Sequence, residues 1–295
     1  MTTSVALCTY NGEKYLAEQL DSILTQTVPI DEIVVCDDGS TDNTISILEE
    51  YESTFPYLFK IYKNKENLGY TKNFEQAINL CDRDIIFLCD QDDIWLKEKV
   101  KTVLLFFIAH PKINVICHRI KIMQNGNYLQ TSFWDEEGFK TSFSNHEVLQ
   151  YLLFNKNVFP GMSMVLTKEA KKKFLPLKTI NSTIIHDYEM AIRACTSESF
   201  ALIDAILTIY RLHKDQNIGY GTGNKAENKD IYLEIKRISF VKQAVEAFGL
   251  NPSLTDGYKK FCKEKYRLFL KQLPIYKRFT THLKYKYYYK VLNEL

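Results

Sequence analysis

The chain has 295 residues, 45% of them hydrophobic and 25% charged, with a formal net charge of +2. That length suffices for one large α/β domain with an appendage or for two modest domains, and the apolar share supports a real core. The composition excludes a disordered chain, and no uninterrupted apolar run approaches the roughly 18 residues of a membrane-spanning helix. The net charge conceals an asymmetry: residues 225–295 carry 16 Lys+Arg against 7 Asp+Glu, and residues 1–224 carry 22 against 29. An acidic body argues against nucleic acid as a partner, whereas a basic tail suits a polyanionic surface. The seven cysteines, at 8, 36, 81, 89, 117, 195 and 262, lie in apolar segments without Cys-x-x-Cys spacing. They read as reduced core thiols of a cytosolic protein and not as a disulfide frame or zinc site. Met1-Thr2-Thr3-Ser4 runs directly into a strand-like segment, so no secretory leader is expected.

In chain order, Val5-Ala6-Leu7-Cys8 predicts a short buried strand. Asn11-Gly12 turns into a helix over 13–26, whose Tyr15, Leu16, Leu20, Ile23 and Leu24 share one face. A second strand, Ile33-Val34-Val35-Cys36, ends at Asp37-Asp38-Gly39-Ser40, and Thr41 and Asp42 stand where they can cap a helix bearing Ile45, Ile47 and Leu48. A third strand over 58–62, a loop through Asn67-Leu68-Gly69, a helix over 71–80 and a fourth strand over 85–89 follow. Strands alternating with helices at βαβ lengths predict a parallel sheet with helices on both faces. Such sheets bind ligands beyond the carboxyl ends of their strands, and Tyr10, Asp38, Gly69 and Asp92 all fall just past strand-like runs.

Past residue 110 the pattern gives a strand over 113–123, a polar stretch around Asn125-Gly126 and Trp134 to Glu137, and a mixed region reaching Val158-Phe159-Pro160-Gly161-Met162. Helical spacing returns at His186 to Ala191, a strand covers 205–210, and Gly219 to Gly223 is a flexible break. Residues 229–290 read as two or three amphipathic helices. The expected organisation is therefore a domain over 1–224, with halves of about 1–110 and 111–224, and a basic helical region over 225–295.

The most informative segment is Cys89-Asp90-Gln91-Asp92-Asp93-Ile94-Trp95, three carboxylates within four residues after a buried strand. Such acids repel one another and are best tolerated where water, hydrogen bonds or a bound cation offsets the repulsion. Carboxylate oxygens suit hard ions such as Mg2+ or Mn2+, which commonly complete their shell with substrate phosphates. A solvated turn is the competing reading of an isolated Asp-x-Asp.

Six segments then occur in order: Cys8-Thr9-Tyr10-Asn11-Gly12, Cys36 to Asp42, Asn67-Leu68-Gly69, Asp90 to Trp95, His186-Asp187-Tyr188 and Tyr210-Arg211-Leu212-His213. In this order and spacing the chain resembles family 2 glycosyltransferases of the GT-A fold, over residues 3 to about 220. Within them it is most similar to bacterial rhamnosyltransferases of cell-surface polysaccharide synthesis. The resemblance implies an α/β fold, a Rossmann-like mostly parallel sheet flanked by helices, with the basic helical region as an appendage. It implies an inverting, metal-dependent transfer of a sugar, expected to be rhamnose, from a nucleotide-diphosphate donor (dTDP-rhamnose or a UDP-sugar) to a saccharide or lipid-linked acceptor. The segments over 1–110 then form the donor half and those over 111–224 the acceptor half.

Residue by residue, the resemblance places Asp38 on the N3–H of a uracil or thymine ring, with a plain turn role as the alternative. Tyr10 lies beside the base, Cys8 and Asp90 in the donor site, and Gly69 and Lys72 near the donor phosphates or sugar. The metal, Mn2+ or Mg2+, falls to Asp92, with Asp90 as partner and His213 as a further ligand, while Asp93 and Trp95 serve as scaffold. Asp187 is the general base, since an acceptor hydroxyl is a weak nucleophile until its proton is removed. His186 accompanies it, and Gly161 and Met162 resemble the acceptor-side loop. The family's usual Trp in third place is Tyr188 here, which leaves the shape of the acceptor open. The tail interleaves Lys277, Arg278, Lys284, Lys286 and Lys290 with aromatic residues, as suits an anionic membrane surface at the inner face of the cell membrane. Packing on the body or on a second copy in a homo-oligomer is the alternative. A non-catalytic nucleotide-sugar or glycan-binding subunit is the competing function, and a nucleotidyltransferase is disfavoured because its Gly-rich N-terminal phosphate loop is missing.

Overall fold

The computed structural model describes residues 1–214, 231–272 and 278. The Gly219 to Gly223 break and the aromatic and basic tail, Arg278 apart, lie outside the described residues. The chain divides into two compact units, one of residues 1–149 and 157–222 and one of residues 150–156 and 223–295.

The first unit opens with the alternation read from sequence: β1 (Thr3–Thr9), α1 (Leu16–Leu24), β2 (Glu32–Asp37), α2 (Thr44–Thr54), β3 (Phe59–Lys63), α3 (Tyr70–Leu80) and β4 (Ile85–Cys89). These strands are parallel in the order β3-β2-β1-β4, with Val5 level with Ile33 on one side and Phe87 on the other. All residues of β1, β2 and β4 are buried, as expected of parallel strands covered on both faces. Leu16, Leu20 and Ile23 of α1 pack with Val5, Val35 and Phe87 in one core. The helix cap falls one residue later than the sequence suggests: Asn43 precedes α2, and Asp42 accepts from the Thr44 N–H at 3.0 Å.

Next come β5 (Ile94–Trp95), α4 (Lys99–Ala109), β6 (Val115–Gln124), β7 (Asn127–Ser132), α5 (Phe133–Glu136), α6 (Asn145–Phe154), β8 (Met164–Thr167), α7 (Lys168–Phe174), α8 (His186–Thr196) and β9 (Phe200–Leu212). The sheet continues β4-β8-β6-β9-β5, with β7 on β6. Here it turns mixed: β8 runs antiparallel to β4 and β6, whereas β9 is parallel to β6. Three short strands, β5, β7 and β8, escape the sequence reading. The Asn125-Gly126 turn proves to be the tip of the β6–β7 hairpin, both residues at positive φ, the backbone that Asn-Gly adopts most readily in two-residue hairpins. Trp134, in the stretch read as polar, is buried beside Phe139 and Phe159 and donates to the Val158 carbonyl at 2.9 Å.

At the amino ends of the parallel strands, buried Glu32 accepts from the Ser4 hydroxyl at 2.5 Å and the Asp82 N–H at 3.0 Å, and pairs with Lys60 at 2.5 Å. Those donors hold its carboxyl below the ordinary range against the opposing cost of burial. A lowered folded value means that this stabilisation is present at neutral pH and is lost as pH falls through the folded pKa. Glu32→Gln is expected to cost about 1.5–3 kcal/mol at pH 7, with a smaller penalty near pH 3, as urea unfolding at the two pH values will measure.

The second unit contains α9 (Ile231–Phe248) and α10 (Ser253–Gln272). Leu254, Tyr258 and Cys262 form the buried stripe of α10, and Tyr258 lies against Phe154. Among the described residues no helix is long and apolar enough to cross a membrane.

Candidate functional site

Four loops meet at the carboxyl rim of the sheet, and side-chain to backbone hydrogen bonds fasten them together. Gln91 pairs with the backbone of Tyr10 in both senses, accepting from its N–H at 2.8 Å and donating to its carbonyl at 3.0 Å. The Asn11 N–H donates to the Ser40 hydroxyl at 2.8 Å, and Asn11 accepts from the Thr41 N–H at 2.8 Å. Asp37 anchors its own turn, accepting from the Ser40 N–H and hydroxyl and from the Thr9 hydroxyl. Gly12 lies so close to Gln91 that a Cβ there would overlap its amide. Gly12→Ala is therefore expected to expel Gln91 and undo both bonds to Tyr10, costing about 1–2 kcal/mol, as thermal unfolding will measure.

Asp38 is buried and already engaged. It accepts from Asn64 at 2.9 Å, from the Leu68 N–H at 2.7 Å and from the Gly69 N–H at 2.9 Å. Its carboxylate thus shapes the 64–69 loop, and of about four lone-pair directions one remains. Asn64 accepts from Gln76 and donates to buried Asn73, a half-buried amide chain beside Asp38. Gly69, at φ 78°, opens α3. Tyr10 and Tyr70 are exposed on this rim.

Cys8, expected in the donor site, is buried inside β1 level with Cys36, its thiol pushed well up by burial and then by neighbouring Cys36 and Asp90, so its side chain belongs to the core. Lys72 is half exposed on α3 and pairs with Glu75 at 2.6 Å, a surface ion pair of little strength.

The acid loop after β4 faces the end of β9. His213 Nε2 lies 2.8 Å from Asp92 Oδ2, and the His213 ring rests on Tyr15 at 4.8 Å. Arg211 donates through its side chain to the Asp92 carbonyl at 2.9 Å and through its backbone to Asp93 at 3.1 Å, and it reaches Glu18 at 2.5 Å. Burial pushes the carboxyls of both Asp90 and Asp93 up, and repulsion from Asp92 adds to it. Asp93 Oδ2 is buried, without a partner among the described residues. Among the described residues no three His, Cys, Asp or Glu side chains form a ready metal cage; of the expected ligands Asp92 and His213 touch, and Asp90 lies on the same loop. A carboxylate and an imidazole in contact within an under-neutralised acid loop fit Mn2+ or Mg2+, whose other positions are commonly taken by phosphate and water.

Asp187 arrives from the other half, in the first turn of α8, and is buried. Burial pushes its carboxyl up to about 7 against opposing hydrogen bonds from the Tyr188 and Gly161 backbones and from Asn157, the last at 3.0 Å. Repulsion from Asp187 adds to the rise at Asp90, after burial and Asp92. His186 stacks on Phe74 at 4.2 Å, abuts Gly161 and is held neutral by burial, its proton affinity pushed down to about 3. Neither of its ring nitrogens has a partner among the described residues. Met162 needs correction as an acceptor-side residue: its side chain packs in the core with Ile120, Ile122 and Tyr210, and only its carbonyl faces a polar partner, Lys99.

Sequence reasoning missed Gln91, Asn64, Asn157 and Lys99. Lys99 had a readable signal, since its spacing of four to Val103 and eight to Phe107 puts a charge on the buried face of α4. The others are amides whose partners are loop backbone, and no local pattern announces those.

A parallel half-sheet with acid loops at its carboxyl rim, joined to a mixed half that delivers another buried acid, defines the GT-A class of α/β fold. The family described as glycosyl transferase family 2 matches residues 4–173. The chain is 30% identical over 237 residues to the dTDP-rhamnosyl transferase RfbG of Shigella flexneri, covering 77% of this chain and 78% of that protein. In fold it is similar to S. aureus TarS 1-349 in complex with UDP-GlcNAc (TM-score 0.63, 18% identity, 99% of this chain and 79% of that one). It is also similar to the mannosyltransferase PcManGT from Pyrobaculum calidifontis in complex with GDP-Man and Mn2+ (TM-score 0.55, 16% identity, 99% and 86%). The chain spans 58% of the length of one Mycobacterium tuberculosis relative and 60% of the TarS chain in another crystal structure. It belongs to glycosyl transferase family 2.

Proposed function

We propose that this chain is an inverting, metal-dependent glycosyltransferase that moves a sugar, rhamnose in the first instance, from a nucleotide-diphosphate donor to a saccharide or lipid-linked acceptor in surface polysaccharide synthesis. The observation that carries the reading is Asp187, a buried acid that the second half of the sheet delivers, its carboxyl pushed up to about 7 and its charge acting on Asp90 of the acid loop. A base is most effective when its pKa lies near the working pH. Asp187 takes the proton of the acceptor hydroxyl as that oxygen attacks the anomeric carbon and the nucleoside diphosphate departs from the opposite face. A single displacement of this kind inverts the anomeric configuration. His186, held neutral by burial, has no partner for its ring nitrogens among the described residues, which suits it to hydrogen-bond a hydroxyl that reaches it.

On the donor side, the remaining lone pair of Asp38 suits the N3–H of thymine or uracil, with Tyr10 exposed beside it. Asp92 and His213, with Asp90, would hold Mn2+ or Mg2+. Such an ion neutralises charge on the leaving diphosphate as a Lewis acid. Rhamnose is favoured by the likeness to a dTDP-rhamnosyl transferase. The exposed face of α10, with Lys260, Arg267 and Lys271, supports docking of the second unit on an anionic inner membrane surface, at about 1 kcal/mol per basic residue near it. Calorimetry of dTDP-rhamnose, UDP-glucose and UDP-GlcNAc with Mn2+ tests the donor assignment: binding of one of them with metal dependence is expected, and binding of none contradicts it.

A further inference from the structure

Beneath the acid loop lies a buried lysine that the displacement leaves unused. Lys99, the first residue of α4, is fully buried, which pushes its amine down to about 7. The amine has three partners: the Met162 carbonyl at 2.9 Å, the Thr208 hydroxyl at 2.9 Å, and the ring face of Trp95, 3.9 Å from the centroid. Those partners come from three places, the turn over Gly161–Ser163, strand β9 and strand β5. Asp90 and Asp93 of the acid loop and Cys89 at the end of β4 act electrostatically on the amine. Its Met162 bond fastens the turn whose Gly161 N–H supports Asp187.

We propose that Lys99 is a positioning residue that registers the acceptor-side turn, and through it Asp187, against the acid loop of the donor side. This rests on the displacement reading above. One amine is fixed to β5 and β9 on one side and to the turn on the other, so base and donor are held as one piece. A misplacement of about 1 Å in such an arrangement costs on the order of 10²-fold in rate. A neutral side chain at 99 leaves the Met162 carbonyl and the Thr208 hydroxyl buried without their donor, and the turn loses its tether.

The test uses the full chain as wild type, K99M, and K101M as a control at an exposed neighbour. In K99M the amides of residues 158–166 are expected to exchange about tenfold faster, with those of β1, β2 and β4 unchanged. Affinity for dTDP or UDP with Mn2+ should stay within about threefold, and kcat should fall on the order of 10²-fold with little change in donor KM. K101M should match wild type throughout. Wild-type exchange over 158–166 in K99M, or an unchanged kcat, overturns the proposal, as does a fall in nucleotide affinity that matches the fall in kcat. K99Q, a polar side chain too short to meet all three partners of Lys99, carries the same test if K99M fails to fold. If the wild type consumes no nucleotide sugar, the displacement reading fails while the exchange and affinity measurements still decide the role of Lys99.

Discussion

Asp187→Asn is expected to lower kcat by roughly 10²- to 10⁴-fold, the range that general-base assistance commonly supplies, with nucleotide affinity unchanged. The substitution preserves shape: the Asn oxygen can still accept from Asn157 and from the backbone N–H groups that now reach Asp187. The pH dependence follows from the same burial. A base must be deprotonated to act, so wild-type kcat should rise with pH through about 7, and that limb should be missing in the variant. Stability should move the other way. A carboxyl whose folded pKa is raised holds its proton longer in the folded than in the unfolded state, so stability is lost as pH rises from the unfolded value towards about 7. Asp187→Asn should accordingly melt higher than wild type at pH 8 and with little difference at pH 4. Thermal scans and a pH–rate profile measure both signs on the same preparations.

Asp92→Ala has the second large effect. It removes the carboxylate that His213 touches at 2.8 Å and leaves the imidazole on Tyr15 without its anion. Turnover should fall by at least about 10²-fold, as expected when charge stabilisation of a leaving group is removed, and Mn2+ should cease to improve nucleotide binding. The His213→Ala change should be milder, because Asp90 and Asp92 remain on the acid loop. Calorimetric titration of dTDP with and without Mn2+ reads the loss directly; an Asp92→Ala protein with full, metal-stimulated turnover refutes the metal assignment.

The parallel half of the sheet is legible residue by residue because its strands are buried on both faces. Ile85–Cys89 is apolar from end to end, and an acid directly after it marks where the strand leaves the core. The mixed half is not legible in that way. Met164–Thr167 is only four residues long, and Ile94–Trp95 is two; each becomes a strand through partners distant in sequence, Ile85–Phe87 for the first and Thr208–Ile209 for the second. Asp92, His213 and Asp187 could be named from types and order, whereas what holds them could not. The role of Asp38 as anchor of the 64–69 loop depends on backbone N–H groups that carry no sequence signature. The Lys72–Glu75 pair on α3 is set by spacing along the helix and says nothing by itself of what the lysine meets beyond it.

The central proposal is that Asp187 drives a single displacement at a nucleotide-bound sugar. A proton NMR time course of dTDP-rhamnose with Mn2+ and an acceptor saccharide, run with wild type and with Asp187→Asn, tests it most directly. Release of dTDP with a product of inverted anomeric configuration is expected in the wild type, and donor that stays intact with the variant. A product of retained configuration, or equal turnover by the Asp187→Asn protein, would contradict it.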